Sequence, residues 1–342
     1  MIAEFTGLDR VTFCNTGSEA VMAAMRLART VTGRNRIVYF TGDYHGMFEE
    51  VLVRGAWPNG EYRAQPIAPG IPSSLVENIL VLEYGTAESM DIIKQHGDEI
   101  AAVMVEPVQS RNPSLQPRAF LQELRKVTES IGAALIFDEV VTGFRCHQGG
   151  AQAYFGVKAD MATYGKVVGG GMPIGILAGT PKFMDALDGG MWQYGDESFP
   201  EVGVTFFAGT FVRHPLAMAA AHAVLKFLKD SGPELQSRMT ERVERVCRSI
   251  NAHMEHSQVP IRMSSFSAFA AIDYANDLKF ASLLWYYLRE KGIHIWEGRP
   301  CYFTLAHTDE DLQCFVNAFK ESVVEMQADG FLPKPEDRKS VV

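Results

Sequence analysis

Lys166 and Asp138 are the two residues whose type and setting point most directly to chemistry. Lys166 stands between an apolar, strand-like run that includes Ala162-Thr163-Tyr164 and a loop carrying three consecutive glycines, Gly169-Gly170-Gly171. Its neighbours are uncharged, so burial would depress its pKa toward the free amine. A free amine attacks a carbonyl to form a Schiff base. The glycines allow positive φ and close approach of the backbone to a ligand. An exposed lysine beside a flexible turn has the same local sequence, so its partners decide. Asp138 closes the apolar run 133–137, and an unpaired buried charge there would cost several kcal/mol. It therefore needs a partner, either a protonated ring nitrogen or a nearby arginine. Lys166 follows after 28 residues (166 − 138), room for a loop, a short helix and a strand. The two can thus flank one ligand from neighbouring strand ends. Glu106 closes another apolar run, at 100–105.

The elements that position these residues follow from periodicity. A short strand ending at Phe13 leads into Asn15-Thr16-Gly17-Ser18-Glu19, and residues 20–30 have a helical pattern. Strand, small polar loop and helix together place an anion on free backbone N–H groups at a helix N-terminus, with the Thr16 and Ser18 hydroxyls as added donors. An ordinary N-cap reads the same way. Neither a Walker lysine motif nor a G-x-G-x-x-G is present, so a nucleotide is not indicated. A strand at 36–40 precedes Thr41-Gly42-Asp43-Tyr44-His45-Gly46, where Tyr44 and His45 offer flat side chains for stacking on a planar ring. Residues 54–75, rich in Pro and Gly, read as a loop excursion. Strands at 78–83, 100–106 and 133–140 alternate with helices at 86–96 and 118–131. That describes an α/β protein with a mostly parallel sheet covered on both faces. Ligands in such folds sit at the carboxyl ends of the strands, where Glu106, Asp138 and Lys166 all fall.

A helix at 216–229 ends at Ser231-Gly232-Pro233. The pattern predicts a large domain over 1–230, a smaller α+β domain over 234–330 and a linker-like tail over 331–342. In the smaller domain, helices are expected at 234–253, 278–291 and 309–326, with strands within 261–272 and 293–305.

Bulk properties narrow the function classes. The chain has 342 residues, 47% apolar and 21% charged, as in ordinary globular proteins. A net charge of −9 argues against nucleic acid or an anionic membrane as partner. Five scattered cysteines without a CxxC read as reduced thiols of a cytoplasmic protein, and no metal site is indicated. No signal peptide or membrane-spanning run is evident.

Taken together, the motifs resemble a known family. They are Asn15-Thr16-Gly17-Ser18-Glu19-Ala20, Tyr44-His45-Gly46, Glu106-Pro107, Asp138-Glu139-Val140-Val141-Thr142-Gly143-Phe144-Arg145, Gly165-Lys166-Val167-Val168-Gly169-Gly170-Gly171-Met172-Pro173-Ile174-Gly175 and Gly209-Thr210. In this order, over most of the chain, they resemble the class III aminotransferases, pyridoxal phosphate (PLP) enzymes of fold type I. The resemblance implies that Lys166 holds PLP as a Schiff base and shuttles a proton. Asp138 would pair with the pyridinium nitrogen, keeping the ring an electron sink. Gly17 and Ser18 would bind the phosphate, with Thr210 from the other subunit of a homodimer with shared active sites. Tyr44 would stack on one ring face and Val140 pack on the other; His45 and Glu106 complete the expected cofactor contacts.

Two departures concern substrate. Glutamate-1-semialdehyde aminomutases, which the chain is similar to, carry an Asn five residues after the Glu of Glu-Pro, where this chain has Arg111. In place of their gating glutamate this chain offers Arg299, a cation suited to a donor's carboxylate. The resemblance also leads one to expect a substantial N-terminal segment before the phosphate loop, missing from this sequence. The stretch from Gly292 to Asp311 is similar to aminotransferase domains embedded in hybrid polyketide/nonribosomal peptide synthetases, which aminate carrier-bound β-ketoacyl thioesters. The expected activity is amino transfer from an amino-acid donor to such a keto acceptor on an acyl carrier protein. The alternatives are a free-standing aminomutase or aminotransferase on small molecules such as glutamate-1-semialdehyde, and a truncated, non-catalytic dimerisation or docking domain.

Overall fold

Apolar runs without a polar face must be covered on both sides, and here they become the middle of one sheet. The computed structural model describes residues 1–58, 61–275 and 278–334. Two units divide them: Met1–Gln109 with Gln116–Pro233, and Ser110–Leu115 with the chain from Glu234 onward. The first unit runs α1 (Ile2–Thr6), β1 (Arg10–Cys14), α2 (Gly17–Thr32), β2 (Arg36–Phe40), β3 (Val53–Ala56), β4 (Arg63–Pro66), β5 (Ile79–Leu82), α3 (Ala87–Gln95), β6 (Ile100–Val105), α4 (Arg118–Ile131), β7 (Ala134–Asp138), α5 (Gly150–Phe155), β8 (Met161–Tyr164), β9 (Gly175–Gly179), α6 (Pro181–Met184) and α7 (Pro215–Ser231). Among the described residues its main sheet has seven strands in the order β1-β9-β8-β7-β6-β2-β5. Only β9 runs against the others. Every residue of β5 through β9 is buried.

Local sequence explains the two helices nearest the site. Thr16 caps α2 by accepting the Glu19 N–H, while the Glu19 carboxylate reaches back to the Asn15 N–H at 2.6 Å. Gly33, at φ 68°, ends the helix in the left-handed conformation. α2 then packs across β6, β8 and β9 with an alanine-rich apolar face that includes Ala20, Ala24, Leu27 and Ala28. α4 buries Leu121, Leu124, Val127 and Thr128, spaced as one helical face. Residues 54–75 are not a plain loop. β3 and β4 form an antiparallel hairpin, followed by a 3-10 turn at Ser73–Leu75. Pairing along the hairpin supplies the regularity that the Pro and Gly residues hide from a sequence pattern.

The second unit contains α8 (Glu234–His256), β10 (Ile261–Phe266), β11 (Phe269–Tyr274), α9 (Leu284–Glu290), β12 (Cys301–Tyr302) and α10 (Asp309–Ala328). Its strands form an antiparallel sheet in the order β10-β11-β12. The core gathers Val243, Ile250, Trp285, Phe319 and Leu332. A Thr308–Asp311 capping box starts α10. Asn251 of α8 pairs with Met263 of β10 in both directions, Nδ2 donating to the carbonyl and Oδ1 accepting the N–H, each at 2.8 Å. The helix expected over 278–291 is shorter, a 3-10 turn at Ala281–Leu283 leading into α9. The strands expected within 293–305 reduce to the two residues of β12. Of the expected tail, residues 335–342 lie outside the described residues.

All five cysteines are free thiols. Among the described residues no helix is long and apolar enough to cross a membrane, and no cluster could hold a metal ion.

Candidate active site

The carboxyl ends of β6, β7 and β8 bring Glu106, Asp138 and Lys166 to one cavity. Its volume is ≈ 320 Å³, and Gly17, Ser18, Tyr44, His45 and Val140 also line it. Strand pairing accounts for the convergence, because β7 lies between β6 and β8 and Asp138 pairs directly with Thr163.

Lys166 lies just past β8 with φ 46°, a left-handed conformation unusual for a residue with a side chain. Such strain persists where the surrounding structure dictates it and clusters at functional sites. The side chain is open to the cavity. No hydrogen bond or ion pair to a described residue engages its Nζ. Partial burial pushes the ammonium below its ordinary value, against the opposing pull of Asp138 and Glu106.

Asp138 is buried and hydrogen-bonded at both oxygens. Oδ1 accepts from the Val140 N–H at 3.1 Å and the Thr163 hydroxyl at 2.9 Å. Its charged partner is not an arginine but His45, whose Nδ1 lies 2.8 Å from Oδ2. The other ring nitrogen of His45 lies 3.2 Å from Asp43 Oδ2. Burial alone would lower the pKa of His45, but the hydrogen bonds to Asp138 and Asp43 outweigh it and push it up to about 10.

This corrects the stacking role expected of His45. A ring face waiting for a planar ligand would be open to solvent, and the His45 side chain is only 1% exposed. Tyr39 covers it edge-on at 5.4 Å. Tyr44, by contrast, is 49% exposed at the cavity, and its backbone N–H donates to Glu106 Oε2 at 2.8 Å. Glu106 is buried, and burial, reinforced by the charge of Asp43, pushes its pKa up to about 8.

The loop before α2 closes one end of the cavity. A Cβ on Gly17 would come within 3.0 Å of Val140 Cγ2, and one on Gly46 would run into the Ser18 hydroxyl. Ser18 Oγ accepts the Met47 N–H at 3.2 Å, tying this loop to the Tyr44-His45-Gly46 turn. Thr210 is exposed and not among the cavity's lining residues. Arg111 and Arg299 lie in the second unit, where they line a cavity of ≈ 270 Å³ with Asp273, Tyr274 and Trp285. The Arg299 guanidinium sits 5.1 Å over the Trp296 ring. Sequence reading missed Asp43, Gln109 and Glu139. The last is buried next to Asp138 and accepts from Ala151 N–H, Gln152 N–H at 3.1 Å and Thr142 Oγ1 at 3.1 Å.

These residues fit the group that the sequence resemblance implies. The cavity offers an unengaged amine, a buried carboxylate for a ring nitrogen, an open aromatic face and a glycine-lined helix N-terminus for a phosphate.

Comparison with known proteins agrees. The family model described as aminotransferase class-III matches residues 1–323. A glutamate-1-semialdehyde 2,1-aminomutase from Archaeoglobus fulgidus is 34% identical over 334 residues, covering 93% of this chain and 76% of that protein. A β-phenylalanine aminotransferase from Variovorax paradoxus superposes with a TM-score of 0.81 at 29% identity, covering 97% of this chain and 74% of that one. A transaminase solved with PLP bound superposes with a TM-score of 0.84 at 26% identity, covering 96% and 76%. Motifs, strand-end geometry and relatives agree that this chain belongs to the class III aminotransferases and is a PLP-dependent enzyme of fold type I.

Proposed function

We propose that the chain transfers an amino group from an amino-acid donor to the β-keto group of an acyl thioester borne on a carrier protein. When bound, PLP supplies an electron sink for the carbanion at the carbon that carries the nitrogen. Asp138 presents its carboxylate to the ring nitrogen. Tyr44 and Val140 hold the ring between them, and Gly17 and Ser18 bind the phosphate. Glu106 orients Tyr44 through its backbone N–H. Lys166 Nζ takes and returns the proton at the substrate carbon, and its depressed pKa favours the free-base form that does so.

The observation that carries the carrier-bound reading is the pair of arginines. Arg111 and Arg299 line one cavity, and each stands where glutamate-1-semialdehyde aminomutases carry a different residue. Arg299 supplies the cation for a donor carboxylate. The Variovorax neighbour is named as a β-phenylalanine aminotransferase, which is consistent with amination at the β position.

A homodimer completes the site in this reading, with Thr210 contributed across the interface. Its support is the set of large apolar side chains that a monomer would leave in water along 191–211, Met191, Tyr194, Phe199, Phe206 and Phe211.

A second reading has specific support, the 34% identity to the Archaeoglobus aminomutase over nearly the whole chain. Under it the chain acts on free glutamate-1-semialdehyde. One assay separates the two. The protein is supplied with an amino donor and either a β-ketoacyl carrier protein or glutamate-1-semialdehyde, and products are read by mass spectrometry. A β-aminoacyl carrier supports the first reading. Turnover of the semialdehyde alone overturns it.

A further inference from the structure

Behind Asp138 a line of buried polar side chains leads to a second carboxylate. Asp138, His45 and Asp43 have side chains 4%, 1% and 0% exposed. His45 bridges them, at 2.8 Å to Asp138 and 3.2 Å to Asp43. Asp43 is fixed from its far side. Gln109 Nε2 donates to Asp43 Oδ1 at 2.7 Å and to the Thr41 carbonyl at 2.8 Å, and the Glu106 N–H donates to Asp43 Oδ2 at 3.4 Å.

We propose that Asp43, seated by Gln109, is a positioning residue that holds His45 as a doubly donating imidazolium, so that Asp138 meets the cofactor as a carboxylate with its charge compensated from behind.

Hydrogen-bond inventory carries the argument. A neutral imidazole has one N–H and one lone pair, so between two carboxylates it would satisfy one and set its lone pair against the other. The imidazolium donates to both. Without Asp43 the second donor would have no acceptor in a dry site, and His45 would shed its proton. The surrounding charges agree. Glu106, the third carboxylate near His45, is pushed up to about 8 and takes a proton instead. Burial pushes the Asp43 carboxyl up as well, and the hydrogen bonds it accepts from His45, Gln109 and the Glu106 N–H oppose that and favour its charged form. Tyr39 faces the His45 ring edge-on and adds no charge at neutral pH, its hydroxyl being held protonated by burial. Lys166 feels Asp138 and Glu106, and the Arg145 guanidinium is near enough to push the Lys166 ammonium down as well.

This inference rests on the assignment of Asp138 to the ring nitrogen, and the test separates the two. The full chain is labelled with ¹⁵N-histidine, and His45 is assigned by its loss in His45→Asn. Its ring nitrogens are then read at pH 8 with and without PLP, and the PLP dissociation constant is measured by fluorescence titration. Wild type is expected to show both His45 nitrogens protonated. Asp43→Asn, nearly isosteric, is expected to show one, with PLP bound ~10-fold more weakly, the scale of one lost hydrogen bond to a charged group. A doubly protonated His45 in Asp43→Asn, or a dissociation constant within about twofold of wild type, would overturn the role of Asp43. Gln109→Leu, read by the same two measurements against the same criteria, decides the matter if Asp43→Asn does not fold. Asp138→Asn is run alongside. Unchanged PLP affinity there overturns the ring-nitrogen assignment itself, independently of the Asp43 result.

Discussion

Val140 Cγ2 stands 3.0 Å from the place where a side chain on Gly17 would begin. The second residue after Asp138 and the first residue of α2 therefore shape one wall together. Gly17→Ala forces Val140 or the loop to move by a few tenths of an ångström. Overpacking of this kind costs about 1–3 kcal/mol. PLP affinity is expected to fall by a corresponding ~10-fold or more while the fold persists. Fluorescence titration of cofactor binding together with a thermal melt checks both parts.

Lys166→Ala removes the amine at the centre of the cavity. It is expected to abolish transamination and the visible absorbance of the lysine-linked cofactor. The fold should be kept, because no hydrogen bond or ion pair among the described residues depends on Nζ. In wild type, borohydride reduction followed by peptide mapping should place the added mass on the peptide containing Lys166. Its appearance on any other lysine would remove Lys166 from the chemistry.

The buried acids make stability pH-dependent in one direction. Glu106 and Glu139 have folded-state pKa values pushed up to about 8 and about 7, mainly by burial. Each raised value means that the native state holds protons the unfolded chain has released. Their contribution is therefore full below the ordinary carboxylate range and declines as pH rises through about 7 to 8. His45, raised to about 10, adds a further loss above its unfolded value near 6.5. Urea unfolding of the PLP-free protein should show stability falling between pH 5.5 and 8.5, by up to about 1.4 kcal/mol per pH unit for each group. Glu106→Gln should flatten that slope, and a slope equal to wild type would contradict the protonated assignment.

Glu139 tests structure separately from chemistry. Glu139→Ala leaves the Ala151 and Gln152 N–H groups and the Thr142 hydroxyl without their acceptor in a sealed pocket. A loss on the order of 3 kcal/mol is expected, seen as a lower urea midpoint. Glu139→Gln, which keeps an acceptor oxygen, should lose less.

Arg299→Ala should raise KM for a carboxylate-bearing amino donor by ~10–100-fold with little change in kcat, the signature of lost ground-state binding. Steady-state kinetics with the acceptor saturating checks it. Unchanged KM would assign donor recognition elsewhere.

The backbone of the site was legible because its signals are local. Continuous apolar runs ending in Glu106 and Asp138 identify buried parallel strands, and α4 falls where its period places it, at Arg118–Ile131. What escaped depends on partners distant in sequence. Asp43 in a glycine-flanked loop reads as a turn former. Only the fold shows that it sits against His45 and Gln109. The stacking role given to His45 failed for the same reason, since an aromatic ring in a loop carries no mark of what will cover it. The β3–β4 hairpin and two-residue β12 are too short or too interrupted for a period to register. Arg111 and Arg299 are 188 residues apart (299 − 111) yet line one cavity, a proximity that no pattern along the chain could reveal.

The pairing of Asn251 with both main-chain groups of Met263 also has an effect beyond its own helix. β10 is an outer strand of its sheet, and outer strands are templates for another chain to zip onto. At Met263 a side-chain amide fills the rung that an incoming strand would need. Any extension of this sheet along that edge must first evict Asn251, so the amide acts as a built-in guard against unwanted strand-to-strand association.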